Sequence, residues 1–326
     1  MAKSIFIDTN TYLSFFRLSN DDLNEIKKLL HGVKSKELTV QVTSQVRDEF
    51  NRNREGVIFD ALQKFRDEKV PMSYPKLMHG YPEYEMLKQK AKEFSSLREK
   101  ILRNAEDDAR ERKLEADRLI EQVFQSATMI ECGNDILKSS RERMDRGNPP
   151  GKKGSYGDAI NWEALLAKVP KDDDLIIISG DSDFTAKLNP DRISQFLVDE
   201  WKSSGRSTAL TLYKTLSEFF KEHYPDIRLQ IEFEQDKFVT ALQESPSFAS
   251  THAAIAGLDP RESYTERQKR AIITAGLENS QVYTIGEDED VKDFYHAFLN
   301  RFSSELSDGE KRLFRRSFGW TDPQEI

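Results

Sequence analysis

The chain has 326 residues, which is enough for about two domains. Charged residues make up 33% of it, which predicts a soluble protein rich in exposed helix. The net charge of -8 excludes a uniformly basic protein that wraps nucleic acid. It does not exclude a nuclease, because a local basic surface can lie beside an acidic metal site. Cys132 is the only cysteine, which excludes internal disulfides and a thiolate zinc site.

Membrane insertion and secretion are both disfavoured. No apolar run approaches the ~20 residues that a bilayer-spanning helix needs. The first residues already read as a strand, which leaves no room for a secretory signal. Together with the single cysteine, these features predict a cytoplasmic protein with no membrane partner.

The first predicted strand, Ser4 to Ile7, is apolar and ends in the polar triplet Asp8-Thr9-Asn10. A helix is predicted to start at Asn20 and to end at Gly32. The strand therefore delivers a carboxylate to one end of the predicted sheet.

A second strand is predicted over residues 38–42, where the sequence alternates and is rich in β-branched residues. It ends at Thr43-Ser44, and we expect Ser44 to cap the helix that follows. That helix carries Val46, Glu49 and Phe50.

Residues from about 82 to 130 are strongly helical in pattern and form an insertion. Their apolar stripe is broken, and the segment from Glu106 to Arg112 is dense in charge with almost no apolar face. We expect a long antiparallel helical arm or lid rather than a core helix. A coiled-coil dimer seam is the alternative, although the heptads are not sustained.

A basic loop rich in glycine and proline covers residues 141–154 and leads into a predicted helix with Asp158 in its first turn. We expect its cations to contact substrate phosphates, because the loop runs directly into that acid. A solvated loop is the alternative. The residues concerned are Arg141, Arg143, Arg146, Lys152 and Lys153.

Leu175-Ile176-Ile177-Ile178 is a short run of apolar, mostly β-branched residues that predicts a fully buried strand of a parallel sheet. It is followed by Ser179-Gly180 and then by Asp181 and Asp183. Open α/β sheets bind their ligands outside the carboxyl ends of the strands. If this strand and the first are neighbours, Asp8, Asp181 and Asp183 meet at one edge.

Three more elements are predicted in the second half of the chain. They are a strand over residues 195–198, an amphipathic helix over 207–223 and a short alternating strand over 227–233. The pattern changes after Pro225, so we divide the chain into a catalytic domain at 1–234 and a mostly helical C-terminal module at 235–326. The module is locally basic, and we expect a small hydrophobic core with a charged surface. An RNA-binding surface is the alternative.

The chemistry rests on five carboxylates: Asp8, Glu49, Asp158, Asp181 and Asp183. Clustered carboxylates raise each other's pKa, and a bound cation relieves that repulsion. Mg²⁺ and similar hard cations prefer oxygen ligands. Such a cation can activate water and stabilise charge on a phosphodiester. The set therefore predicts a Mg²⁺ or Mn²⁺ site.

Four segments, in this order, resemble the acidic signature of PIN-domain ribonucleases: residues 6–10, Glu49, residues 157–162 and residues 178–184. The likeness is to a PIN-like branch with a long helical insertion and a C-terminal extension, and it covers roughly residues 4–200. It implies a three-layer α/β/α sandwich with a central parallel sheet. It also implies endonucleolytic cleavage of RNA with Mg²⁺ or Mn²⁺.

Carried over by motif, the resemblance implies that Asp8, Asp158, Asp181 and Asp183 are metal ligands. Glu49 is then a catalytic acid of the second helix, and Asn10 and Ser179 are accessory polar residues. From the position of the basic loop, and not from the resemblance, we expect Arg146, Lys152 and Lys153 to bind substrate phosphates. RNA is the implied substrate, in a toxin, a defence effector or an RNA-processing enzyme. A homo-oligomer and a regulatory protein partner remain open.

Other interpretations remain. Taken alone, Asp8 or Asp183 can be a helix cap, and Asp158 can be a first-turn acid favoured by the helix dipole. A haloacid-dehalogenase-like phosphatase also has a first strand that ends in aspartate, and Thr43 could supply its hydroxyl. Its second aspartate would fall at Asn10, however, and Asp158 and Glu49 would have no role. A PIN-like module that binds without cutting is disfavoured because all five acids are present.

Overall fold

The computed structural model describes residues 3–17, 20–67, 76–151 and 156–323. The chain divides into two compact units, Met1–Pro225 and Asp226–Ile326. No helix among the described residues combines the length and apolar character needed to cross a membrane.

The N-terminal unit alternates strands with helices. Its strands are β1 (Lys3–Ile7), β2 (Leu38–Thr43), β3 (Thr128–Ile130), β4 (Asp174–Ile178), β5 (Thr185–Ala186), β6 (Asn189–Ile193) and β7 (Leu210–Tyr213). Its α-helices are α1 (Thr9–Ser14), α2 (Asn20–Lys34), α3 (Ser44–Asp67), α4 (Glu83–Arg110), α5 (Glu115–Ser126), α6 (Asn134–Asp145), α7 (Gly157–Lys168), α8 (Gln195–Ser203) and α9 (Leu216–His223). Two short 3₁₀ helices cover Lys76–Met78 and Ser182–Phe184.

The central sheet has the strand order β3-β2-β1-β4-β7, and all of its pairings are parallel. β1 and β4 are direct neighbours, and Ile7 is in register with Ile178. Ile5 and Ile177 are both fully buried. Because both faces of a parallel sheet are covered by helices, its inner strands are continuously apolar.

The helices form two groups, one on each face of the sheet. In one group α2 contacts α5 and α9, and in the other α3 contacts α1 and α7, while α7 contacts α6. The predicted three-layer α/β/α sandwich with a central parallel sheet is confirmed. The carboxyl ends of β1 and β4 therefore open at the same edge.

Two predictions in the second half of this unit are wrong. Residues 195–198 are not a strand but the start of α8, whose Leu197 and Trp201 lie four residues apart and are both buried. Residues 207–223 are not one helix. They contain the edge strand β7, and α9 begins only after Thr215, whose side chain accepts a hydrogen bond from the amide of Glu218.

The strand predicted at 227–233 is also wrong, because this segment is the first part of a 17-residue helix, α10 (Ile227–Gln243). The alternation that suggested a strand is only local. Further along, Gln235, Val239 and Leu242 are buried at helical spacing, and the longer pattern decides the conformation.

The start of α3 differs from the expectation in one detail. Thr43, not Ser44, is the cap, since its hydroxyl accepts a hydrogen bond from the amide of Val46 at 3.0 Å. The hydroxyl of Ser44 instead accepts a bond from the amide of Cys132. The Thr43 hydroxyl also donates to the Asn161 side chain at 2.6 Å, which links α3 to α7.

The predicted helical insertion has two parts with different surroundings. α4 contacts α3, and Arg66 near the end of α3 forms an ion pair with Glu106 of α4. In contrast, α5 packs into the core through Leu119, Ile120 and Val123, and residues 128–130 form the edge strand β3 rather than helix. The antiparallel arm therefore consists of α4 and the outer half of α3.

Tyr12 lies in an aromatic cluster and carries an unsatisfied hydroxyl. Its ring packs edge-on against Phe124 at 5.1 Å and against Phe50 at 6.4 Å. The side chain is 1% exposed, and its hydroxyl has no hydrogen-bond partner among the described residues. A buried hydroxyl without a partner costs stability.

We expect Tyr12→Phe to raise the free energy of unfolding by about 1 kcal/mol, because it removes this unsatisfied group and keeps the ring. Urea unfolding measures the change. The matched control is Tyr295→Phe, since the buried Tyr295 hydroxyl donates to the Ile272 carbonyl at 3.0 Å and its loss should destabilise. A destabilised Tyr12→Phe protein would contradict the prediction.

The C-terminal unit is helical. It contains α10, α11 (Phe248–Ala256), α12 (Glu266–Glu278), α13 (Ser280–Tyr283), α14 (Glu289–Phe302) and α15 (Asp308–Phe318), with a 3₁₀ turn at Ser303–Glu305. Large aromatic side chains, among them Phe298 and Phe314, fill its core.

Several cations of this unit are held in ion pairs with its own acids. The pairs are Arg267 with Asp236, Lys269 with Glu305, Arg270 with Glu310 and Lys311 with Asp322. These interactions agree with the expectation of a small core that has a charged surface.

Candidate metal centre

Two neighbouring strands place acids at the carboxyl edge of the sheet. Asp8 follows β1 directly, and its amide donates to the Ile178 carbonyl of β4 at 2.9 Å. Asp181 follows β4 after two residues, and Asp183 lies in the 3₁₀ helix Ser182–Phe184. The pairing of β1 with β4 thus brings together residues that are more than 170 positions apart in the sequence.

A third acid comes from α7, which begins at Gly157 and carries Asp158 in its first turn. Each of Asp158, Asp181 and Asp183 offers a carboxylate oxygen, and these oxygens all lie within 4.8 Å of one another. The three side chains are half-buried. Asp8 and Glu49 lie beside this group as electrostatic neighbours of Asp158.

Ser179 connects Asp8 with Asp181. Its hydroxyl donates to the Asp8 carboxylate at 3.1 Å and accepts a bond from the Asp181 amide, also at 3.1 Å. Asp8 is 4% exposed. Burial raises the pKa of Asp8 to about 6, against the opposing effect of the Ser179 hydrogen bond, and the charges of Glu49 and Asp181 raise it further.

Asp158 is perturbed more strongly. Burial is the largest cause, and repulsion from Asp8, Asp181, Asp183 and Glu49 adds to it, so that the pKa of Asp158 is raised to about 7. All five predicted acids therefore share one region of negative potential.

Asp181 also has a local structural role. Its carboxylate accepts a hydrogen bond from the Asp183 amide at 3.1 Å and so caps the 3₁₀ helix. The sequence suggested that Asp183 could be the cap, but the structure gives this role to Asp181. The cap fixes Asp181 relative to Asp183, which preorganises two of the three clustered carboxylates.

Glu49 is oriented by residues that the sequence analysis missed. Its Oε2 accepts hydrogen bonds from the Thr9 hydroxyl at 3.4 Å and from Gln45 Nε2 at 3.3 Å. Gln45 precedes Glu49 by four residues on α3, and Thr9 directly follows Asp8. The sequence therefore held a signal for each residue. Gln45 lies at helical spacing from Glu49, and Thr9 is adjacent to Asp8.

Gly157 allows Glu49 and α7 to approach closely. A Cβ atom at this position would lie 3.2 Å from Glu49 Oε2 and 3.3 Å from Gln45 Nε2.

Two other polar residues of these segments are exposed. Asn10 is exposed, whereas its neighbour Thr9 is buried, and Asp48 beside Glu49 is also exposed. The accessory role of Asn10 remains a prediction.

The residues predicted to contact substrate phosphates lie in different surroundings. Arg143 is buried and forms ion pairs with Glu163 and Glu200, so its expected contact with substrate is wrong and its role is structural. Arg146 is exposed, with a long ion pair to Glu142 at 3.8 Å. Lys152 and Lys153 lie outside the described residues.

A β-hairpin that the sequence analysis did not predict follows the clustered acids. β5 and β6 pair in antiparallel fashion, and Lys187 and Leu188 form the turn between them. Lys187 and Arg192 are exposed, and neither forms an ion pair within the described part of the chain. An ion pair between Asp191 and Lys214 joins the hairpin to the end of β7.

The clustered groups fit a hard divalent cation. All three offer carboxylate oxygens, which Mg²⁺ and Mn²⁺ prefer, and no sulfur or imidazole ligand belongs to the group. The negative charge shared with Asp8 and Glu49 adds to the attraction for a cation.

Comparison with known proteins agrees with this geometry. A family model described as PIN domain matches residues 5–184, a range that includes all five acids. No curated protein and no solved structure was found to match the chain. The matched range covers more than half of the 326 residues and contains the sheet edge that holds the acidic cluster. The chain therefore belongs to the PIN-domain family.

Proposed function

We propose that this protein is a metal-dependent endoribonuclease that hydrolyses RNA phosphodiester bonds with Mg²⁺ or Mn²⁺. The observation that carries the proposal is the convergence of Asp158, Asp181 and Asp183 within 4.8 Å at the carboxyl edge of the parallel sheet. Membership of the PIN-domain family supports a nuclease-type activity.

In this proposal Asp158, Asp181 and Asp183 hold the cation, and Asp8 completes the acidic surroundings. When bound, the cation supplies Lewis-acid stabilisation of the phosphodiester and lowers the pKa of a water molecule. Ser179 orients the Asp8 carboxylate through its hydroxyl hydrogen bond. The Asp181 cap keeps the Asp181 and Asp183 side chains in place before substrate arrives.

Glu49 is assigned a proton-transfer role. Thr9 and Gln45 both donate to its Oε2, which fixes the carboxylate and leaves Oε1 to accept a proton from the attacking water. The absence of a side chain at Gly157 lets Glu49 lie next to the start of α7, which carries Asp158.

Exposed cations that lie close in sequence to the clustered acids support an RNA substrate. Arg146 precedes Asp158 in the basic loop, and Lys187 and Arg192 lie on the hairpin that follows Asp183. Lysine and arginine side chains bind phosphates without regard to base sequence.

Replacement of Lys187 and Arg192 by alanine should raise KM for RNA several-fold and change kcat little, because these residues bind phosphates away from the reacting atoms. It should also reduce the salt dependence of RNA binding. The control is Lys171→Ala, an exposed lysine at the amino end of β4, on the opposite edge of the sheet. An unchanged KM would remove the hairpin from the substrate path.

The hydroxyl that a haloacid-dehalogenase-like phosphatase needs is engaged elsewhere, since Thr43 caps α3 and donates to Asn161.

A direct test of the proposed activity incubates purified protein with RNA and with a small phosphate monoester, each with Mn²⁺ and with a chelator. Internal, Mn²⁺-dependent cuts in RNA are expected, and sequencing of the new ends gives the target. Turnover of the monoester alone would favour the phosphatase, and RNA binding without cleavage would favour a binding module.

A further inference from the structure

The segment 77–101, which ends within α4, carries an unusual amount of exposed apolar surface. Eight large hydrophobic side chains between residues 77 and 101 are exposed, at fractions from 39% to 75%. They are Leu77, Met78, Tyr81, Met86, Leu87, Phe94, Leu97 and Ile101. Monomeric soluble proteins rarely expose contiguous apolar patches larger than a few hundred Å².

On α4 these side chains form a seam with heptad spacing. Leu87, Phe94 and Ile101 are seven residues apart, and Leu97 occupies the intermediate position after Phe94. The buried residues of the same helix, Ala91 and Leu102, lie on another stripe. At 100° per residue, the two stripes are separated by roughly a quarter to a third of a turn. The seam is therefore not the face that contacts α3.

We propose that this seam, Leu87, Phe94, Leu97 and Ile101, pairs with the same seam of a second copy of this chain in an antiparallel, two-fold symmetric coiled coil. A two-fold interface needs a self-complementary surface. When Phe94 lies opposite Leu97 of the partner subunit, the two-fold axis repeats the same contact with the roles of the two copies exchanged.

The flanking charges favour this arrangement. Glu93 and Lys100 each precede a seam residue, and antiparallel pairing places Glu93 beside Lys100 of the partner subunit on both sides of the axis. Lys90 also occupies a seam position. A parallel pairing would place it against Lys90 of the partner subunit, whereas the antiparallel register places it against Ile101 of the partner subunit, where its stem can pack while its ammonium group stays in water. Within its own helix Glu93 accepts a hydrogen bond from Gln89 and forms an exposed ion pair with Lys90, and exposed pairs of this kind contribute little stability that a charge on a second copy would have to replace.

The available area suits a weak dimer. At these exposures the four seam side chains present on the order of 400 Å² per copy, about half of the area that each partner contributes to a standard protein interface. The two copies would cover this surface without involving the acidic edge of the sheet.

Sedimentation equilibrium of the full-length protein tests the proposal. We expect a weak dimer that forms at protein concentrations on the order of 100 μM, and Phe94→Glu or Leu97→Glu should yield a monomer with unchanged helical circular dichroism. The control is Ser96→Glu, at an exposed position on the polar side of α4, which should remain dimeric. A monomeric wild-type protein, or seam variants that remain as dimeric as the wild type, would overturn the proposal.

A charge exchange tests the antiparallel register. Glu93→Lys alone and Lys100→Glu alone should each weaken the dimer several-fold, because each places like charges together at both sites. The double variant restores opposite charges and should recover most of the wild-type affinity. A double variant as weak as the single ones would reject the antiparallel pairing. None of these measurements depends on RNA cleavage.

Discussion

Asp158→Asn is expected to reduce Mn²⁺-dependent RNA cleavage by at least about 100-fold, and to make the metal-free protein more stable at pH 8. Asp158 is one of the three clustered carboxylates. Its pKa is raised to about 7 by burial and by the charges of four neighbouring acids. The amide keeps the shape of the side chain but removes a negative charge that is unfavourable without a cation.

The opposite directions of the two effects distinguish a metal site from a structural acid. An aspartate that stabilises the fold would lose stability on conversion to asparagine, whereas Asp158 should gain it. Asp8→Asn and Asp181→Asn should lose cleavage in the same way, with metal-free stability unchanged or higher. The control is Asp172→Asn, an exposed acid at the amino end of β4. Retained Mn²⁺-dependent cleavage in Asp158→Asn would contradict the assignment.

The second large effect is the pH dependence of stability without metal. The native pKa values of Asp8 and Asp158 are raised from 3.8 to about 6 and about 7. Between these limits the native state binds more protons than the unfolded chain, so the free energy of unfolding decreases as the pH rises. The stabilisation is fully present below pH 3.8 and is lost as the pH rises through about 6 and about 7. The expected loss between pH 5 and pH 8 is on the order of a few kcal/mol.

Urea unfolding in a chelator at pH 5, 6, 7 and 8 measures this loss. A histidine in the C-terminal unit, His252, contributes in the same direction, because its hydrogen bond to Asp290 raises its pKa. Comparison with Asp158→Asn cancels that contribution, and the variant should show a flatter profile. Mn²⁺ should restore stability at pH 8, by about 2.7 kcal/mol at 100 times its dissociation constant. Identical pH profiles for the two proteins would contradict the prediction.

The sheet edge could be predicted because its evidence is local. A four-residue apolar run followed by Ser179-Gly180-Asp181 specifies both a buried strand and the residue at its end. Parallel pairing then places Asp8 and Asp181 together whatever the intervening chain does. The mutual distances of the carboxylates could not be derived, since they depend on how α7 meets α3 at Gly157.

The wrong predictions share a physical cause. The segment at 227–233 alternates like a strand. It is nevertheless helical, because it is continuous with a longer helix whose Val239 and Leu242 are buried at helical spacing. Arg143 is indistinguishable in sequence from its exposed neighbour Arg146, because only tertiary packing supplies its partners Glu163 and Glu200. The hairpin was missed because β5 has only two residues, too few for any periodic pattern.

The most direct test is Mn²⁺ binding to the purified protein, measured as loss of the free-ion electron paramagnetic resonance signal in the absence of RNA. We expect the wild-type protein to remove at least one Mn²⁺ per chain from solution, and Asp158→Asn and Asp181→Asn to bind it far more weakly. If the wild-type protein leaves all the Mn²⁺ free, or if these variants bind it as well as the wild type does, the carboxylates at this edge are not a metal site.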